Sequence, residues 1–421
     1  MSTINRVWAV GAVLAVATGA IAPACAEEQF WARYSGQATA SLDQPFDHSF
    51  AKQWEANPPK GFPTLSAQNI KALTEAIKQY AAVVERGGWD TLPDGSLQPG
   101  MTGEVVAALR NRLTLSGDLR PGETADVFGS YDGVIERGVK RFQASNGLTP
   151  TGIVDKRTLA ALNVPSAARL RQLRTNLARL QDFAKNKDKR YIVVNIPAAQ
   201  IEAVEGDRVV SRHAGVVGKT DRQTPLLSST IHELNFNPVW HLPPTVIQKD
   251  LIPKGQDMSK RGQDVLAKYS IDAYGGDGRK LVSTKVDWSS AAARGLTFRQ
   301  QPGPENPLGF VKINFHNSHS VYMHDTPSQT LFGRNFRAAS SGCVRISGIE
   351  QLAGWLMAEQ GWTAERVLAM KKSGERLDVK LKKPVPLYFV YITAWATEDG
   401  VIQFRRDLYN KDGIGPIASA Y

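Results

Sequence analysis

The sequence predicts an α+β chain of several domains, helical in its N-terminal part and mainly β beyond residue 190. Three observations carry this. Apolar residues recur at helical spacing in the first part, as in Ile70, Leu73, Ile77, Tyr80 and Val84. At Arg190 the period changes to strands, with Tyr191-Ile192-Val193-Val194-Asn195-Ile196 followed by Ile201-Glu202-Ala203-Val204 and a Gly206-Asp207 turn. And 421 residues, 42% of them hydrophobic, are enough for two or three separate cores.

Taken in order, residues 1–26 read as a secretory signal. Arg6 precedes the apolar run Val7–Ala22, and Ala24-Cys25-Ala26 fits a small-x-small cleavage site. The alternative is an uncleaved anchor, although the run is at the lower limit for a span. Residues 27–98 are expected to be a helical scaffold, with a helix between Ser66 and Arg86 stopped by Gly87-Gly88. Residues 99–165 form a compact three-helix unit, with Asp132 and Asp155 as N-caps. Residues 166–189 are a basic helical connector. Residues 190–375 hold most of the strands, including Val311–Phe315 and Val321–His324. A stretch at about 242–306, rich in Pro, Gly, Lys and Asp, interrupts them, and a long loop in such a place is usually functional, for example a lid. Residues 376–421 add a C-terminal strand at Leu387–Thr393 and a tail.

Composition narrows the function. Net charge is +11, from 51 basic and 40 acidic residues, and only Arg6 leaves with the signal. A basic exported protein suits an anionic wall polymer or an acidic lipid surface better than nucleic acid. No later stretch is long and apolar enough to cross a bilayer, so membrane contact is expected only through a retained signal. The two cysteines are Cys25 and Cys343. If Cys25 is removed, Cys343 is a lone thiol in an oxidising compartment, with no internal disulfide open to it.

The neighbours of Cys343 point to a nucleophile. A reactive thiol needs a base or positive charge nearby and backbone N–H groups to hold an oxyanion. In Ser340-Ser341-Gly342-Cys343-Val344-Arg345, Gly342 lets a substrate carbonyl approach the backbone. His324, at the end of an alternating strand 19 residues earlier, is the candidate base. His316 and His319 are its only rivals nearby. Alternation puts Tyr322 on the same face as His324. No H-E-x-x-H spacing argues for a metal, and no K-T-G follows Ser49-Phe50-Ala51-Lys52 to make a serine penicillin-binding site.

Two resemblances follow from these residues. The run Tyr131-Asp132-Gly133 … Phe142-Gln143 … Gly147-Leu148 … Gly152-Ile153-Val154-Asp155 … Leu162-Asn163 resembles the three-helix peptidoglycan-binding domain. The His … Ser-x-Gly-Cys-x-Arg pattern resembles the L,D-transpeptidase catalytic domain of YkuD type. Asn237-Pro238-Val239-Trp240 … Pro243-Pro244, Phe298–Gly303 and His324-Asp325-Thr326-Pro327 are similar to its large periplasmic subfamily, which carries a peptidoglycan-binding domain and a capping insert. The resemblance implies Cys343 as nucleophile, His324 as general base, and the backbone of Gly342 and Cys343 as oxyanion donors. Tyr322, Ser341, Arg345 and Trp240 are then candidate substrate contacts. Core packing is an equal reading of Tyr322, and a structural ion pair of Arg345. One departure is Ser341, where many members have a second His, so a backbone carbonyl is expected to orient His324.

The implied reaction is a 3→3 cross-linking of peptidoglycan stem peptides through a Cys343 thioester, with release of D-Ala and no metal or organic cofactor. Carbapenems are expected to acylate Cys343. Donor and acceptor stems are the expected partners, with cell-wall synthases as further candidates, and the periplasm is the expected location. An L,D-carboxypeptidase, a lipoprotein-anchoring transpeptidase and a non-enzymatic wall-binding protein remain as alternatives.

Overall fold

The computed structural model describes residues 62–120, 122–123, 129–183, 188–289, 293–397 and 400–413. The signal segment and residues 27–61 of the scaffold lie outside the described residues. Among the described residues no helix is long and apolar enough to cross a membrane.

The expected scaffold helix is α1 (Ala67–Glu85), whose N-cap Ser66 accepts a hydrogen bond from the Asn69 amide. Its buried stripe of Leu73, Ala76, Tyr80 and Val83 packs on α5 (Ser166–Phe183). Between them lie α2 (Glu104–Leu115), α3 (Gly133–Ser145) and α4 (Lys156–Leu162). Asp132 and Asp155 cap α3 and α4 by accepting backbone N–H groups, as their positions foretold. Leu109, Leu113, Ile135, Val139, Phe142 and Leu162 make the core of this unit. Trp89 ties it to the scaffold: its indole donates to the Val164 carbonyl at 3.0 Å, and the Arg112 guanidinium lies 3.7 Å from its ring centroid.

The helical part is bolted to the β part. Thr64 donates its N–H and hydroxyl to Glu202, at 2.9 and 3.0 Å. Thr149, in the turn after α3, donates to Asn335, and Arg405 donates to the Ser145 carbonyl. The α1–α5 pair also shares an apolar cluster with Tyr191, Val193, Val390, Ile392 and Trp395. The scaffold therefore clamps onto the sheet.

That sheet has nine strands. They are β1 (Arg190–Asn195), β2 (Gln200–Glu205), β3 (Arg208–Gly218), β4 (Leu227–Phe236), β8 (Val311–Phe315), β9 (Met323–His324), β10 (Ala338–Ser340), β11 (Val344–Ile346) and β12 (Leu377–Val390), while β5 to β7 belong to the insert below. Their order is β10-β3-β11-β9-β8-β4-β12-β1-β2, and a further β3–β2 pairing closes the run into a ring. Ile192, Val194, Leu234, Ile313, Met323, Val344 and Leu387 form one core with α8 (Ile349–Leu356) and α9 (Ala364–Ser373). The expected C-terminal strand is no appendage: β12 starts ten residues before Leu387 and sits between β4 and β1. Its first half alternates Leu377, Val379 and Leu381 with Asp378, Lys380 and Lys382, and Lys383-Pro384 then interrupts the period.

The insert is more ordered than a loop. It has a three-stranded sheet, β5 (Trp240–His241), β7 (Thr297–Gln300) and β6 (Ile271–Tyr274) in that order, with α6 (Ile252–Lys260) and α7 (Val265–Lys268). Trp240, Leu251, Ile252, Leu266, Ile271 and Phe298 give it a core of its own. Short elements broken by Pro and Gly had disguised it.

Candidate active site

The site is a matter of register. Strands β9 and β11 run parallel, pairing Met323 with Val344 and His324 with Arg345. Met323 and Val344 point into the core. Alternation then puts Tyr322, His324, Cys343 and Arg345 on the opposite face, which the insert covers. Tyr322 packs against the insert's core, so packing holds for its ring. Its ring and that of His324 meet edge-on, centroids 5.6 Å apart.

The loop before β11 is held by side chains. The Ser340 hydroxyl donates to the Cys343 carbonyl at 2.5 Å and accepts the Gly342 N–H at 3.1 Å. The Thr224 hydroxyl donates to the Gly342 carbonyl and accepts the Gly218 N–H, both at 2.8 Å. Gly342 has φ +118°, which favours glycine. Of the two expected oxyanion donors, the Gly342 N–H donates to Ser340, whereas the Cys343 N–H has no protein acceptor among the described residues. Ser341 is exposed, and its hydroxyl accepts from Arg222 at 2.8 Å. Arg222 in turn pairs with Asp250 of the insert at 3.1 Å, an ion pair buried at its Asp250 end.

His324 is buried, and its Nδ1 lies 2.5 Å from the Asp325 carbonyl. With that carbonyl as acceptor, Nδ1 carries the proton and Nε2 keeps the lone pair. The Asp325 carboxylate accepts the Phe310 N–H at 3.1 Å. Gly309, at φ +59°, leaves room for it, since a Cβ there would collide with the carboxyl group. Burial pulls the imidazole down to about 3, helped by the Arg345 charge, so it is neutral. His316 is exposed and stacks on His232, centroids 4.1 Å apart.

Cys343 is half-buried, and desolvation pushes its thiol up. Opposing this are the N–H and hydroxyl of Tyr322, both within hydrogen-bonding reach of the sulfur, and the charges of Lys312 and Arg345. The Trp240 indole donates to the Tyr322 hydroxyl at 2.9 Å. An indole cannot accept, so the hydroxyl's own proton is left for the sulfur. Arg345 is buried, lowered to about 10 by desolvation, and its Nε has no partner. No carboxylate among the described residues forms an ion pair with it, which disfavours the structural reading. No hydrogen bond joins His324 to Cys343 in this resting arrangement; the ring faces the carbonyls of Asp325 and Pro307. Lys312, Thr224 and Arg222 escaped sequence reasoning because their partners are distant in the chain; Ser340 enters it only as part of the Cys343 motif, although its partners are local.

A family model described as "YkuD: L,D-transpeptidase catalytic domain" matches residues 189–383. The chain carries a YkuD-type L,D-transpeptidase catalytic domain. A second model, "Putative peptidoglycan binding domain", matches residues 102–162. The first match ends within β12. A curated relative from Haemophilus influenzae, named "Putative L,D-transpeptidase", is 31% identical over 221 residues. That match spans 52% of this chain and 44% of the relative, less than half of the latter's length. Among solved structures, an L,D-transpeptidase from Stackebrandtia nassauensis is 13% identical, with 71% of this chain and 96% of that chain covered and a TM-score of 0.26. One from Xylanimonas cellulosilytica is 15% identical, with 71% and 98% covered and a TM-score of 0.23.

Proposed function

We propose that this protein forms 3→3 cross-links between peptidoglycan stem peptides, with Cys343 as nucleophile. The observation that carries the reading is the grouping of the Cys343 thiol, the neutral His324 ring and the free Cys343 N–H on one covered face. In the reading, the sulfur attacks the carbonyl that precedes the terminal D-Ala of a donor tetrapeptide. The S–H proton passes to His324 Nε2, and the Cys343 N–H takes the oxyanion. Collapse expels D-Ala, whose amine receives that proton, and leaves a thioester on Cys343. The side-chain amine of an acceptor stem then displaces the thiol. The unpaired Arg345 guanidinium is suited to a substrate carboxylate. The 99–165 unit would hold the enzyme to the wall polymer in the periplasm, and a carbapenem would acylate the same sulfur.

Mass spectrometry of the chain with disaccharide-tetrapeptide tests this. Dimer with loss of D-Ala, absent in Cys343→Ala and His324→Ala, is expected. Tripeptide without dimer would make the protein a carboxypeptidase or leave a lipoprotein lysine as acceptor, and no Cys343-dependent product would refute the enzymatic reading. The Arg222–Asp250 pair joins the insert to Ser341, beside the nucleophile. We infer that the insert favours amine over water, so Asp250→Ala should raise tripeptide relative to dimer; unchanged partitioning would refute this.

A further inference from the structure

Lys312 lies on β8 in register with His324. Through the β9–β11 pairing it shares the face of Cys343 and Arg345. Its side chain is half-buried, and its ammonium lies 4.7 Å from the centroid of the Tyr322 ring. That is the ring whose hydroxyl reaches the sulfur. No carboxylate among the described residues forms an ion pair with Lys312. Glu233 and Asp378, on β4 and β12, act on it from farther away and are themselves engaged by Asn235. A half-buried ammonium without a contact counter-ion is costly. The anion that would relieve it is missing while the thiol is neutral.

We propose that Lys312 is the counter-charge of the Cys343 thiolate, a positioning residue that makes the sulfur's proton easier to remove. In the step concerned the S–H bond breaks, the electron pair stays on sulfur, and the proton goes to His324 Nε2. The same positive charge opposes protonation of His324, so it keeps the acceptor nitrogen free before the step. Among the described residues, the other charged or titratable groups facing the site are Tyr322 just before β9, Arg345 on β11 and His241 on β5. Lys312 and Arg345 both favour the charged sulfur. The proposal rests on Cys343 being the nucleophile, and not on which acceptor resolves the thioester.

The test is alkylation of the full chain by iodoacetamide, in which sulfur displaces iodide, between pH 6 and 11. Labelling is read on the Cys343 peptide, so that Cys25 does not contribute. Lys312→Met should raise the inflection by about half to one pH unit, which slows alkylation near pH 8 about 3- to 10-fold. Its limiting rate at high pH should match the parent's. Lys312→Arg should stay within about twofold of the parent, because it restores the charge. Lys312→Gln replaces the Met variant should that one fail to fold. A neutral variant with the parent's inflection would overturn the proposal. So would an Arg variant as impaired as the neutral one, since packing would then explain both. A shifted inflection in a protein that makes no cross-linked dimer would sink the proposed function and leave the role of Lys312 standing.

Discussion

Acidification should weaken this fold through two buried histidines. Burial holds His324 at about 3 and His213 at about 4. His213 is complete as a neutral ring: Nδ1 faces the Ser347 carbonyl at 3.0 Å, and Nε2 takes the Ser211 hydroxyl at 2.9 Å. Both folded values lie below the unfolded one, near 6.5. Their contribution is therefore fully present above about pH 6.5 and is lost as pH falls toward the folded values. Between pH 8 and 5 each unfolded chain binds two protons that the folded chain refuses. At 1.36 kcal/mol per unit over about 1.5 units, each ring costs about 2 kcal/mol, and the pair about 4. Buried carboxyls act in the opposite sense. Asp118, pushed up to about 6 by desolvation, returns at most roughly 1 kcal/mol after its partial exposure is allowed for. Asp250, Asp325 and Asp412 are raised too, so the total is a poor test and a difference is a good one. Urea unfolding followed by tryptophan fluorescence, at pH 8 and pH 5, should show the loss shrinking by about 2 kcal/mol in His213→Gln and again in His324→Gln. An identical loss in the parent and both variants would refute the reasoning.

Two further substitutions probe the frame around the thiol. Gly309→Ala should push on the Asp325 carboxyl and shift the carbonyl that holds His324; Cys343-dependent turnover should fall at least about tenfold with the circular dichroism of the fold unchanged, because misplacement of about 1 Å can cost that much or more. Thr224→Val keeps the volume but strips partners from the buried Gly218 N–H and Gly342 carbonyl, so thermal or chemical denaturation should show a loss of about 2–4 kcal/mol.

The parts of this molecule that could be read in sequence are those with local causes. The caps at Ser66, Asp132 and Asp155 act within three residues, and a hydroxyl or carboxylate there can be read by eye. The change of period at Arg190 marks β1 because those residues are buried on both faces. The Gly-Cys loop announces itself because the chemistry needs neighbours in the chain. What escaped was pairing over distance. Lys312 and Asn314 alternate with Val311, Ile313 and Phe315 like any solvated strand face, and only the β8–β9 register turns Lys312 toward the sulfur. The insert's core draws on residues from Trp240 to Leu308, spaced by prolines and glycines that read as loop.

On the proposed function, with Cys343 as nucleophile and His324 as its base, the insert raises the question of why the sulfur should be covered at all. Covering Cys343 raises its thiol, which lowers the fraction of thiolate at rest. An exposed, permanently ionised sulfur would react with any electrophile and would gain little from fixed dipoles, because water would screen them. Under the insert, the hydroxyl of Tyr322, aimed by Trp240, and the charges of Lys312 and Arg345 act at low dielectric. Their attraction is felt by the thiolate and the oxyanion far more than by the neutral thiol. Binding the neutral ground state weakly and the charged transition state strongly is what accelerates a reaction. The desolvation that suppresses the resting thiolate is then the same desolvation that makes its stabilisers effective once His324 removes the proton.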